Sequence, residues 1–431
     1  MSDIPTRFPA VATDRVLILL AKFANTMLNL EMEFAHRLDE ARLSRALTLL
    51  GDAEPVLGCR YVLDPHQPYW ERVAPSGDRL IFTHDPAELA AFLTADLNAF
   101  AGPQYRACLL RESAGDRLLL KVAHNAADAG GIKHVSASLA EIYRRLGDDP
   151  RYLPRPNVEG SRDTWQIFRQ IPRRALPKIY RNFLHNARIN VNRLGAHSLR
   201  TNGVAGDPPA YEKRRFAPER VRRIAAIGRR YGATLNDLFI AAFLRTAARI
   251  GRYDGERQFR LATTVDLRRH YLPTGKAEGI CNLSGFEYQN LDRNLGHDFF
   301  ETLTMVAAAT RARKANYLGL NDYIGVIPLL GILPPRWING PIERLFHHGI
   351  RTYNVANVLT NMGPIEPEEV RYDEPPLDAW IHGPQALPPL LAAGLTGFAG
   401  SMTLSIGHLP TAENRALIAS LLDGIHEILP A

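Results

Sequence analysis

The stretch "KVAHNAADAGGIKHV", residues 121–135, decides how this chain is read. An apolar, strand-like run ends on His124. Asn125, Ala126 and Ala127 are small enough for a sharp turn, and Asp128 follows. Gly130 and Gly131 then precede a helical pattern, about 131–146, with Ile132, Val135, Leu139, Ile142 and Tyr143 on one face. The stretch is a strand-to-helix junction. A histidine that closes a strand is held by the sheet, and imidazole suits a general base because its unperturbed pKa lies near neutrality. The glycines let the backbone approach a ligand at a helix N-terminus, where free N–H groups favour negative charge. A purely structural histidine beside an Asx turn fits the same spacing. His84 with Glu88 and His297 with Glu301 repeat the H-x-x-x-acid spacing, but both read as helix-terminus residues.

The elements around this junction alternate irregularly. Residues 28–36 and 56–63 read as strands, 39–50 and 85–98 as helices. Residues 105–124 read as a hairpin about the turn signal Ser113-Ala114-Gly115-Asp116, and its second strand runs into His124. A Pro-, Gly- and charge-rich stretch at 148–162 marks the exit from a first domain. A basic, helical segment (163–192) crosses over. In the second half, strands are expected at 210–217, 259–267, 281–291, 353–361 and 400–409. Helices are expected at 218–231, 234–250, 298–314 and 411–428. Gly232 suits the residue after a helix, and Thr234 with Asp237 a capping box. The expected domains are 1–160, a crossover at 161–209, and 210–431. Strands and helices mix without regular βαβ alternation, which favours α/β layers with mixed sheets over a doubly wound nucleotide fold.

Length and composition bound the class. A chain of 431 residues suggests two domains of roughly 200 residues each. Cys59, Cys108 and Cys281 lie far apart with no CxxC, which argues for reduced thiols in a cytoplasmic setting and against structural zinc. The N-terminus lacks the basic region and cleavage site of a signal peptide, and no run approaches the ~20 apolar residues of a spanning helix. The net charge of +7 is clustered at 169–181 and 212–230. Those clusters read either as solvated helix faces or as steering for an anionic partner. Nucleic acid is disfavoured, because no recognisable binding module is present.

The junction resembles the HHxxxDG motif of the condensation-domain and chloramphenicol-acetyltransferase-like acyltransferases. His124 corresponds to the second, catalytic histidine and Asp128 to the motif aspartate. Further segments follow in family order: "LDEARLSRALTLLGDAEPVLGCRY" (38–61), "TLNDLFIAAFLRTAARI" (234–250), "TTVDLRRHYLP" (263–273), "GICNLSGFEYQNL" (279–291) and "VLTNMGPIEP" (358–367). Ala123 replaces the first histidine, and Ala129 stands where the motif glycine belongs. No DFGWG-like loop, "RHExLRTxF" signature or fused carrier domain is present, so the chain looks like a stand-alone, divergent member.

The resemblance implies two chloramphenicol-acetyltransferase-like halves in a V-shaped pseudo-dimer, with mixed sheets and a central tunnel. It implies a monomeric, cytoplasmic acyltransferase in which His124 deprotonates an alcohol or amine acceptor. The acceptor attacks an acyl group carried by coenzyme A or by the phosphopantetheine of an acyl-carrier protein. Asp128 is expected to pair with an arginine, with Arg268 ahead of Arg269. Backbone N–H groups near Gly130 and Gly131 are the candidate oxyanion donors. Arg268, Asn282 and Asn361 join the two glycines as expected substrate-binding residues. No metal or bound cofactor is implied. Two rival readings are a condensation-type enzyme joining carrier-bound substrates and a non-catalytic docking protein.

Overall fold

The computed structural model describes residues 4–74, 79–190, 195–204 and 207–430. The expected hairpin forms from strands Tyr105–Arg111 and Asp116–Ala123, with Tyr105 opposite Val122 and Arg111 opposite Asp116. Its second strand lies at the centre of a five-stranded sheet. The strand order is Asp378–Ile381, Met27–Phe34, Asp116–Ala123, Tyr105–Arg111, Leu80–Thr83. Only the last pair is parallel. Helices Glu40–Ala53 and Ala129–Asp148 cover this sheet. They bury Leu43, Ala46, Leu47 and Leu50 on one helix and Ile132, Val135 and Leu139 on the other. That face is the one the helical spacing marks.

The second half is built on a six-stranded sheet, in the order Ser284–Asn290, Arg260–Asp266, Asn357–Ile365, Ala392–Phe398, Ser401–His408, Ala210–Phe216. Asn357–Ile365 runs parallel to both neighbours and the other pairs are antiparallel, so both large sheets are mixed. Helices Leu235–Ile250, Phe299–Lys314 and Ala412–Ile428 supply its core. The capping box is present: Thr234 N–H donates to Asp237 Oδ2 at 2.8 Å, and Asp237 N–H donates to Thr234 Oγ1 at 3.3 Å. Gly232 ends the preceding helix at φ +60°, a left-handed conformation that glycine adopts without a Cβ penalty. A small third sheet joins Arg7–Pro9, Tyr69–Arg72 and Cys59–Val62.

Several boundaries differ from the sequence reading. The helix after the motif begins at Ala129, two residues early, because Asp128 itself caps it. Residues Pro55–Gly58 form a 3₁₀ turn, so the strand expected from 56 starts at Cys59. The strand expected at 353–361 spans Asn357–Ile365. Within the crossover, Trp165–Phe168 and Leu176–Asn190 are helical, while 191–194 and 205–206 lie outside the described residues. One strand within the expected half 210–431 is exchanged. Strand Asp378–Ile381 leaves that half and pairs antiparallel with Met27–Phe34, Ile381 opposite Leu30. Ala379, Trp380 and Ile381 are all buried, so the crossing supplies apolar side chains to the junction. Among the described residues, no helix is long and apolar enough to cross a membrane.

Candidate active site

His124 follows the last residue of strand Asp116–Ala123, and its N–H donates to the Thr26 carbonyl at 2.7 Å. Asn125, Ala126, Ala127 and Asp128 are buried, whereas His124 is half-buried and reachable. Its Nδ1 faces two oxygens, the Ala127 carbonyl at 2.9 Å and Asn282 Oδ1 at 3.2 Å. The Asn282 amide is oriented by its Nδ2, which donates to the Asn125 carbonyl at 3.3 Å. Two acceptors at Nδ1 place the neutral ring's proton there and leave the lone pair on Nε2. That tautomer is the one a base acting through Nε2 requires.

Asp128 is turned away from this ring. Its Oδ1 accepts from Gly131 N–H at 2.8 Å and so caps the helix. Its Oδ2 accepts from Arg268 Nη1 at 2.9 Å, Leu283 N–H at 2.7 Å and Ser284 Oγ at 2.9 Å. Burial alone would raise the carboxyl pKa. The Arg268 charge and these hydrogen bonds outweigh it, holding the group below the usual carboxylate range. Arg268 also donates from Nη2 to the Cys281 carbonyl at 2.7 Å and lies 3.3 Å from Asp266. Burial opposes its charge, and Asp128 more than restores it, so its pKa is raised. The pair joins the N-terminal junction to the C-terminal sheet, and both partners are buried.

The glycines serve this packing. A Cβ on Gly130 would lie 2.9 Å from Arg268 Nη1, and one on Gly131 would lie 2.7 Å from Ala127 Cβ and 3.3 Å from the Cys281 carbonyl oxygen. The Gly131 N–H is already committed to Asp128. In this structure the helix cap takes up that donor. Asn282 lies behind the imidazole on its Nδ1 side, where it orients the ring. Asn361 is set apart from this cluster, donating to Asn236 Oδ1 at 3.3 Å and accepting from Gly363 N–H at 3.0 Å beside a strand bulge.

Other anchors carry no local sequence signature. Arg162 pairs with buried Asp14 at 2.7 Å and donates to the carbonyls of Ala126 and Ile280, at 3.1 and 2.7 Å. It thereby holds the His124 turn against the segment carrying Asn282. Ser284 follows in the chain two residues after Asn282 and could have been sought there. Lys133 reaches from the motif helix to the Met362 and Pro364 carbonyls, at 2.8 and 3.2 Å. Three of the eight Lys and Arg residues in the basic cluster at 212–230 form ion pairs among the described residues: Arg214 with Asp423, Arg215 with Asp378, and Arg222 with Glu219.

At the level of the whole fold, two mixed α/β halves tied together around the His124 turn match known structures. The first condensation domain of the calcium-dependent antibiotic synthetase matches with a TM-score of 0.69 and 16% identity, covering 100% of this chain and 98% of that one. Polyketide synthase associated protein 5 from Mycobacterium tuberculosis matches with a TM-score of 0.67 and 14% identity, covering 97% and 96%. The SgcC5 protein from Streptomyces globisporus gives 0.65 and 15%, covering 98% of each chain. In sequence, residues 205–312 match the family described as phthiocerol/phthiodiolone dimycocerosyl transferase C-terminus. No curated protein sequence matches the chain. This chain therefore has the fold of these condensation-domain and acyltransferase-like structures, as the motif order implies.

Proposed function

We propose that this protein is an acyltransferase that moves an acyl group from a thioester to a hydroxyl or amine, with His124 as the general base. One observation carries the reading: a half-buried imidazole whose Nδ1 is occupied by two oxygens, leaving Nε2 as the basic atom. Nε2 takes the proton from the acceptor as its oxygen or nitrogen bonds to the thioester carbonyl carbon. The tetrahedral intermediate then collapses, the C–S bond breaks, and the departing thiolate takes the proton back from the imidazolium. Asp128 and Arg268 hold the turn in place and exchange no proton.

The fold alone does not fix the reaction, since an epimerization domain of tyrocidine synthetase shares it at a TM-score of 0.67. Mass spectrometry of the purified protein, incubated with acyl-CoAs or acyl-carrier proteins and a panel of alcohols and amines, tests the reading. A new ester or amide with release of free thiol supports it. No acyl transfer from any thioester, with the protein folded, counts against it.

A further inference from the structure

Helix Leu176–Asn190 has two apolar faces, and only one is used. Ile179 packs inward with Ile167, Ile171, Ala175, Leu267 and Cys281. On the outside Leu176, Tyr180 and Leu184 recur at four-residue intervals, 42%, 51% and 40% exposed. Helix Pro335–Arg351 repeats the pattern: Ile338 faces Leu19 and Leu330, while Trp337 and Leu345 stand outside at 62% and 67%. Short helices Asn321–Ile324 and Val326–Ile332 join the two, with Gly325 set closely against the Phe183 ring. Around the first stripe Arg173, Arg174, Lys178 and Arg181 are exposed, and among the described residues none of them forms an ion pair. From 163 to 190 six Arg and Lys residues face one Asp.

We propose that this face docks on a membrane surface of anionic lipids. Large apolar and aromatic side chains suit the headgroup–acyl boundary, and the flanking cations suit its negative potential. A two-fold contact with a second copy would set the same basic flank against itself, which disfavours that occupant. The proposal does not depend on the acyl-transfer reading.

The test is co-sedimentation of the full chain with vesicles of phosphatidylcholine alone and of phosphatidylcholine mixed with phosphatidylglycerol. Binding to the mixed vesicles should be about tenfold tighter or more and should weaken as salt rises. Arg173→Glu with Arg174→Glu should abolish that preference. Leu176→Gln, Tyr180→Ser and Leu184→Gln together should cost about tenfold, at an unchanged melting temperature. The proposal is overturned if the mixed vesicles are not bound, or if neither variant changes binding. It is also overturned if the apolar variant turns a sedimenting dimer into a monomer, because a second copy would then cover the face.

Discussion

The proton on His124 is positioned by oxygens from both halves, Ala127 from its own turn and Asn282 from the segment before strand Ser284–Asn290. That division yields a prediction at the scale of a single atom. In Asn282→Asp a carboxylate would face Nδ1 and stabilise the imidazolium. An opposite charge at that distance raises a histidine pKa by about 1–3 units, so the acid limb of the pH–rate profile should move to higher pH by at least one. A limb that stays in place would mean that Asn282 does not govern the base. The strand-end placement of His124 and the Asp128–Arg268 pair were legible because each residue belongs to a contiguous motif. The purpose of the glycines was not, because it depends on a guanidinium 138 residues further along the chain than Gly130.

At the scale of elements, alternation and helical spacing exposed most core strands and helices that pack on a large sheet, but not strands Leu80–Thr83 and Ala392–Phe398. They failed where packing overrides local signal. Strand Asp378–Ile381 is four residues long, flanked by Pro375, Pro376 and Gly383, and is made a strand by its partner Met27–Phe34. The helices between 321 and 351 contain Pro328, Pro341 and Gly340, which read as breakers. They persist because Leu330 and Ile338 pack against Leu19. One junction of elements carries a pH prediction. Glu54 ends helix Glu40–Ala53, receives a hydrogen bond from Asn157, and lies 3.9 Å from His134 on the motif helix. Burial raises its carboxyl to about 7, against the opposing hydrogen bonds and the Arg162 charge. The folded chain thus holds a proton that the unfolded chain releases near pH 4.5. This contribution is complete below that pH and is lost as pH rises to about 7, a span worth about 3 kcal/mol. Glu54→Gln should flatten that decline in urea unfolding between pH 4.5 and 7.5. An unchanged slope would show that Glu54 is not its source.

Across the described residues, buried polar ties and the exchanged strand Asp378–Ile381 hold the halves together. Asp128–Arg268, Asp14–Arg162 and Lys133 with its two carbonyls all cluster around the His124 turn. Removing a partner of a buried pair strands the other charge. Asp128→Ala should therefore cost about 3 kcal/mol, the lower end of the usual range, because Arg268 keeps Asp266 and the Cys281 carbonyl. Asp128→Asn should recover part of this by keeping the helix cap. An Asp128→Ala protein that unfolds in urea like the parent, yet transfers no acyl group, would assign Asp128 to the chemistry instead.

The central claim is that His124 is the base, and turnover of His124→Ala tests it most directly. Parent and variant would be compared on the same thioester and acceptor, after confirming equal melting temperatures. A positioned imidazole base accelerates such a step by about 10²–10⁴-fold, so the variant should lose that factor in kcat with acceptor binding little changed. A folded His124→Ala protein that turns over within a few-fold of the parent would contradict the account.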